Sequence, residues 1–375
     1  MTSTSESLRL IVEALQPKAG GLKAALRRRA VDDWTRPLEL ANTHLLTPSL
    51  YAALAASHRL AALPTEVRDY LKLLHRNTGE RNAALRAQAL DLLRALGDAG
   101  VPAMPLKGAL SLFCDHFPDH SARLFRDIDV LVPAQSMADA VRALEGLGYA
   151  AKVQYTPVLH AYGEFTRDGD PGAVDLHVEL IDARYVLPAR ELWEHASVVE
   201  RDGVSFHLPS PTDQVMHNLL HAQIHYTGNF YRAVLQLQQV YEFTLLARRH
   251  GSAAAGGAID WAVIETRFAR YRLTTALQSY ALAAAMLFDL PWPLSAPPSL
   301  AARIHVRRCL VQLHMPRLAD ALLPWGNLRA AFAWHRMQAL YADAHPLVPR
   351  RLRHAWAFVR KTTGRAMVDR LFRVS

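Results

Sequence analysis

Cysteine is nearly absent from this chain: Cys114 and Cys309 are the only two among 375 residues, and they form no CxxC pair. That excludes a disulfide-stapled scaffold and a thiolate zinc centre, and it suits a reducing compartment, so a cytoplasmic location is expected. Long apolar runs are missing too. The most apolar stretch, residues 281–290, contains Asp289 and is followed by Pro291, too short for a bilayer, so no membrane span is expected. Residues 1–17 place Glu6 and Arg9 in an amphipathic pattern and lack the basic-then-apolar order of a secretion signal. No fixed-period repeat occurs, which excludes a solenoid. Acidic residues are outnumbered, 34 against 43 basic ones, and much of the resulting +9 lies in residues 23–29, 303–308 and 350–373. Such an excess suits a polyanionic partner such as a nucleotide, RNA or an acidic membrane surface, and it equally suits solvated helix faces.

What is present is enough apolar material, 51% of the residues, to bury a large core in two or three domains. From residue 5 to about 96 the pattern is helical, with Leu8, Ile11, Val12 and Leu15 repeating at three and four. The cluster Gly97-Asp98-Ala99-Gly100 reads as a stop, with Gly97 as the C-terminal cap. Elements then alternate: strands at residues 103–106, 127–132, 152–155, 163–167, 173–180 and 204–208, with helices at 108–116 and 135–147, where Val141, Leu144 and Leu147 point inward. Prolines 209 and 211 close this unit, and Asp213 reads as the N-cap of the next helix. The remainder is helical, broken near residues 250–257, 291–298 and 346–349. The expected division is therefore 1–97, 98–210 and 211–375.

Within the strand at residues 127–132, Asp127 and Asp129 are two apart and share one face, while Ile128 and Val130 go to the other. Like charges held so close call for compensation, commonly a divalent cation, and a carboxylate pair around magnesium is the working part of many phosphoryl and nucleotidyl transfer sites. A third oxygen ligand is needed for two ions, and Asp175, in another short alternating strand, is the best candidate; Glu179 competes with it on the same face. Upstream, Lys107-Gly108 ends a strand and opens a helix, where backbone N–H groups and a lysine meet phosphate oxygens.

This order, Leu106-Lys107-Gly108, then Arg123 with Asp127-Ile128-Asp129, then Val174-Asp175-Leu176-His177, resembles the uncharacterised nucleotidyltransferase family of the DNA polymerase beta-like superfamily, over roughly residues 101–261. The resemblance implies an α+β fold, a small mixed-sheet nucleotidyltransferase core flanked by N-terminal helices and a C-terminal helical domain. It implies Asp127, Asp129 and Asp175 as metal ligands for two magnesium ions, with manganese as the alternative, and Lys107, Gly108 and Arg123 close to the nucleotide. Two departures stand out: Lys107-Gly108 replaces the superfamily's Gly-Gly or Gly-Ser, and Gln238-Gln239-Val240-Tyr241-Glu242 stands where related chains tend to place an aspartate.

Other residues carry two readings each. Arg126 binds phosphate or balances the aspartates; Ser111 and Cys114 neighbour the nucleotide or form a half-buried helix face; His177 contacts substrate or orients Asp175. His217, His221 and His225 line one helix face, which one straight helix cannot wrap around a single tetrahedral ion; packing on the sheet or contact with nucleotide is expected. The basic stretch 350–373, with Trp356 and Phe358, is a cationic exterior helix or a binding arm. The expected activity is metal-dependent transfer of an NMP from an NTP, including ATP, to a small molecule, peptide or saccharide rather than a nucleic acid. Glycosyl transfer from a nucleotide-sugar on the same fold, and a non-catalytic nucleotide-binding adaptor, are the alternatives.

Overall fold

The structure is a computed structural model. It describes residues 3–16, 21–155, 160–225, 228–251, 258–340, and 352, 354 and 355; the basic stretch at 350–373 lies almost wholly outside the described residues. Helices come first: α1 (Thr4–Leu15), α2 (Leu22–Arg27), α3 (Thr35–Thr43), α4 (Thr47–Ala56) and the 34-residue α5 (Thr65–Asp98). In α1 the buried face contains Leu8, Ile11, Val12 and Leu15, as their spacing predicts. The helix α5 runs through Gly97; the left-handed residue that ends it is Gly100, with φ +69°, while the N–H of Val101 reaches back to the Leu96 carbonyl at 2.8 Å. Gly97 is thus not the cap, because the reversal falls three residues later, where only Gly100 accepts a positive φ without cost.

A five-stranded mixed sheet follows, ordered β1-β2-β5-β4-β3, from β1 (Met104–Pro105), β2 (Asp127–Leu131), β3 (Ala150–Gln154), β4 (Ala161–Thr166) and β5 (Ala173–His177). Between β1 and β2 lies only a single helical turn, α6 (Lys107–Leu110), in place of the expected helix over 108–116, and α7 (Met137–Gly146) connects β2 to β3. The strands at 103–106 and 173–180 are shorter than expected, since pairing ends once the chain turns away to the helices. The strands β2 and β5 pair in parallel, with Ile128 opposite Val174, Asp129 opposite Asp175, and Leu131 opposite His177; the other neighbours are antiparallel. The outer strand β3 is exposed along its length, and Lys152 on it bonds Glu164 of β4 at 2.6 Å, a charged edge that discourages pairing with another chain.

Alternation along the strands separates two cores. Ile128, Val130, Val174 and Leu176 pack with Leu85, Leu92, Leu93 and Leu96 of α5 and with Met137, Ala140 and Leu144 of α7. Val141 and Leu147 are only half-buried against this core. On the opposite side Leu106 and Leu131 join a larger core shared by the N-terminal helices and by the later ones, running from Leu8 to Cys309. The sheet therefore has helices on both sides. Each fully buried Leu, Ile or Phe contributes about 1.5–3 kcal/mol relative to exposure, so this two-sided burial dominates the folding energy.

After α8 (Ala189–His195), a hairpin of β6 (Ser197–Arg201) and β7 (Val204–Leu208) adds a strand that alternation did not reveal; β6 is largely exposed and carries little apolar signal. The helices α9 (Pro211–Gln223), α10 (Asn229–Arg232), α11 (Leu237–His250), α12 (Trp261–Arg270), α13 (Thr274–Phe288), α14 (Leu300–His314), α15 (Pro316–Ala331) and α16 (Trp334–Leu340) complete the described chain. The N-cap of α9 is Ser210, not Asp213. Pro211 takes the first helical position, so the Ser210 hydroxyl accepts from the Asp213 N–H at 3.2 Å and donates to its carboxylate at 2.6 Å. Among the described residues no helix is long and apolar enough to cross a membrane.

Gly172, just before β5, lies so close to α5 that an added Cβ would sit 2.6 Å from Leu85 Cδ2 and 3.1 Å from the Arg126 carbonyl oxygen. Gly172→Ala is expected to lower stability by about 1–3 kcal/mol through overpacking, read as a shift of the urea midpoint with an unchanged slope. An unmoved midpoint would show that α5 and the strand entrance can part without cost.

Candidate active site

One face of the central strands carries the acids. Because β2 and β5 run parallel with Asp129 opposite Asp175, their side chains stand next to each other on the same face, and His177 follows two residues on. The oxygens of Asp129 and Asp175 and a ring nitrogen of His177 all lie within 4.8 Å of one another. Asp129 is the hub: its Oδ1 accepts from Lys107 Nζ at 2.7 Å and meets His177 Nε2 at 2.9 Å, and the same Nε2 is 3.4 Å from Asp175 Oδ2. Asp127 lies outside that tight group, at the exposed end of β2 on the same face, and lines the adjoining pocket. Glu179 turns away and accepts the Ala189 N–H at 2.8 Å, at the start of α8.

The charges are mutually set. Burial opposes ionisation of Asp129, yet the Lys107 ammonium and the His177 hydrogen bond outweigh it and hold this carboxyl well below the usual carboxylate range. Burial likewise works against the Lys107 charge, but Asp129 keeps it above its ordinary value. For His177, burial and Lys107 push downward while the hydrogen bonds to Asp129 and Asp175 prevail and raise it. Asp127 is raised, first by its partial burial and then by Asp129. Asp175 Oδ1 is buried and has no hydrogen-bond partner among the described residues.

The turn that delivers Lys107 is strained. Its backbone is left-handed, φ +48°, a conformation costing a non-glycine residue about 1–3 kcal/mol, which the Asp129 ion pair and the Leu106 N–H to Asp129 carbonyl bond at 2.9 Å help offset. Gly108 is required sterically: a Cβ there would come 2.6 Å from Phe125 Cβ and 2.7 Å from Arg123 Nη1. The single turn of α6 has too few residues to form the extended helix N-terminus that the sequence predicts for phosphate. Ser111 is buried and donates to the Gly108 carbonyl at 2.7 Å, and Cys114 is half-buried with its thiol pushed up by burial to about 11; neither borders the pocket.

That pocket lies between the acidic face and the helices α9 and α11. Lys107, Gly108, Arg126, Asp127, Asp129 and His217 are among its walls, with apolar residues such as Leu45, Phe125 and Leu192. His217 and His221 both face it. Burial lowers His217 to about 3 and His221 well below its ordinary value, so both are neutral imidazoles at physiological pH. His217 Nε2 is buried without a hydrogen-bond partner among the described residues, whereas His221 Nδ1 meets Gln239 at 3.2 Å. His225 falls just past the end of α9 and turns instead toward Asp182.

A family model described as "uncharacterised nucleotidyltransferase" matches residues 31–289, more than two thirds of the chain. The chain belongs to that family. No curated protein and no solved structure matches it. The matched region reaches past the 101–261 segment on both sides and takes in everything from α3 to α13, so the helices that wall the pocket are part of the nucleotidyltransferase unit.

Several residues that build this candidate site went unread in the sequence. The irregular stretch before β2 presents backbone carbonyls that need donors, and side chains from three helices supply them. Arg81 of α5 donates to the Phe125 carbonyl, to Arg126 at 3.0 Å and to Pro171 at 3.1 Å, clipping the entrances of β2 and β5 together. Asn82 reaches the His120 and Arg123 carbonyls at 2.7 and 2.9 Å, Ser49 of α4 reaches Ala122 at 2.6 Å, and Gln238 of α11 reaches Leu124 at 2.9 Å. Long polar side chains on helices read as solvated in a sequence; only the fold shows the carbonyls they meet.

Arg123 forms a buried two-point ion pair with Glu242 of α11, Nε to Oε1 at 3.1 Å and Nη2 to Oε2 at 2.8 Å. Burial opposes the Glu242 charge, but Arg123 overrides it and lowers the carboxyl to about 2. Removing one partner strands the other, so Arg123→Met or Glu242→Gln should cost about 3–5 kcal/mol, and the double variant Arg123→Met/Glu242→Leu should cost clearly less than the sum in a mutant cycle. Since the folded value lies below the ordinary 4.5, this contribution is full above that pH and fades as pH falls toward 2. Urea melts across that range should show a larger midpoint loss in the wild type than in the double variant, which keeps other lowered carboxyls such as Asp129; parallel pH profiles would disprove the pair's role.

Proposed function

We propose that this family member transfers a nucleoside monophosphate from an NTP to an acceptor hydroxyl or phosphate, releasing pyrophosphate. The observation that supports it above all is the side-by-side placement of Asp129 and Asp175, with Asp127 farther along the same face at the wall of the pocket. The donor set fits a hard divalent cation: three carboxylates, one of which keeps a buried oxygen, Asp175 Oδ1, without a partner among the described residues. Asp127, Asp129 and Asp175 would hold magnesium or manganese, which when bound neutralises the triphosphate and activates the acceptor oxygen.

The chain's own groups do the rest. Lys107 keeps Asp129 ionised and oriented, and together with Arg126 it places positive charge where phosphate oxygens arrive. The neutral His217, a wall of the cavity whose Nε2 has no hydrogen-bond partner among the described residues, offers a hydrogen bond to the sugar or the base, and Leu45, Phe125 and Leu192 give the base an apolar bed. The acceptor oxygen then attacks the α-phosphorus, the bond from that phosphorus to the bridging oxygen breaks, pyrophosphate leaves, and the acceptor proton passes to a carboxylate of the same face.

Only Lys107, Arg123 and Arg126 are lysines or arginines among the described pocket walls, and Arg123 is engaged by Glu242. That is too little positive charge to track a nucleic-acid backbone, which favours a small molecule, peptide or saccharide as acceptor. The test uses α-labelled NTPs with magnesium and a panel of such acceptors. Wild-type protein should transfer label and release pyrophosphate, and Asp129→Asn and Asp175→Asn, folded by circular dichroism, should fall to the level of chelator-treated protein. Release of nucleoside diphosphate from a nucleotide-sugar, or label transfer undiminished in both variants, would overturn the assignment.

A further inference from the structure

We propose a second ion site, on His160, Asp182 and His225, that takes one divalent transition-metal ion, with zinc the best fit to its donors. The three side chains offer two ring nitrogens and a carboxylate oxygen within 4.8 Å of one another. They come from three places: His160 immediately precedes β4, Asp182 lies in the turn beyond β5, and His225 follows α9. Each is held by the backbone around it. The His160 carbonyl accepts from the Val178 N–H at 2.8 Å and the Glu179 N–H at 3.1 Å, and the Asp182 N–H donates to His225 Nδ1 at 3.3 Å.

The decisive feature is the convergence of three donor side chains from separate segments on one sheltered point. His160 Nδ1 and Asp182 Oδ1 are buried and 2.7 Å apart, a contact of ion-pair length that sets the imidazole and the carboxylate facing each other. A divalent cation would displace the proton from this pair and take the nitrogen and the oxygen as donors, the two atoms parting to admit it. The second imidazole closes over the same point, its ring centroid 4.5 Å from that of His160 and edge-on to it, and its Nδ1 3.9 Å from Asp182 Oδ2. Side-chain exposures of 22, 15 and 10% for His160, Asp182 and His225 leave the cluster sheltered but reachable.

Two imidazoles and one carboxylate suit zinc and other borderline cations, whereas magnesium prefers an all-oxygen set, so this site and the Asp127–Asp129–Asp175 face select different ions. Three protein donors leave a fourth tetrahedral position open for water or an incoming oxygen. The His160 ring lies 5.5 Å from the ring of His177, which places this ion next to the paired aspartates. Ion binding at this site is independent of nucleotidyl transfer and would persist if that activity were absent.

The test measures metal directly. Full-length protein carrying no affinity tag is loaded with zinc, dialysed against metal-free buffer and analysed by mass spectrometry for metal content, and a parallel sample is loaded with cobalt. The wild type should retain about one zinc per chain and show the visible bands of four-coordinate cobalt. His160→Gln and Asp182→Asn should each lose both signals, while Asp175→Asn keeps them. Failure of the wild type to retain zinc or give the cobalt spectrum would overturn the proposal, whatever the variants do. So would zinc retained by His160→Gln and Asp182→Asn, or zinc lost from Asp175→Asn alone, which would move the ion to the aspartate face.

Discussion

The side-by-side pairing of Asp129 with Asp175 in adjacent parallel strands is the constraint on which the site rests. In a parallel ladder, residues in register project to the same side, so the two carboxylates cannot avoid each other. Their repulsion is contained by Lys107 and His177, which both bond the same oxygen of Asp129. The apolar face behind them enforces the register: sliding β5 by one residue would turn Val174 and Leu176 toward the pocket and bury Asp175 and His177 among the leucines of α5. Core packing and site chemistry are thus two faces of one alignment.

That alignment has to be delivered from both ends. The chain enters β2 through an irregular stretch whose carbonyls are satisfied by Arg81, Asn82, Ser49 and Gln238, donors from α4, α5 and α11. It leaves β1 through a left-handed Lys107, a strained geometry held by the contact that strain makes available, the ion pair with Asp129. Arg123 and Glu242 then tie the strand entrance to α11 across the pocket. Such a buried pair does little for net stability compared with apolar residues of the same shape, but it is costly to break, so it fixes where α11 sits relative to the acids.

The histidines show how one helix face is divided among tasks. His217 and His221 stay neutral and look into the pocket, while His225, one turn further and past the helix end, joins His160 and Asp182. Ring contacts run on through His221, His225, His160 and His177, so the two polar clusters adjoin through imidazoles rather than through water-exposed surface.

What was readable from residue order was local and periodic. The spacing of Asp127 and Asp129, the apolar residues that alternate with them and the helical repeat of α1 all follow from side-chain periodicities that neighbouring residues establish by themselves. Those signals carried the α+β class and the family, whose motif residues lie within short segments. The length of α6, the strand β6 and the caps at Ser210 and Gly100 escaped, because each depends on where the chain is pulled by its packing. Contact between distant groups was decided only by the tertiary structure: Arg123 finds Glu242 119 residues away, and Asp182 finds His225 43 residues away. A sequence states which charges exist, but how much water each one loses, and which opposite charge replaces that water, is settled only when the layers close.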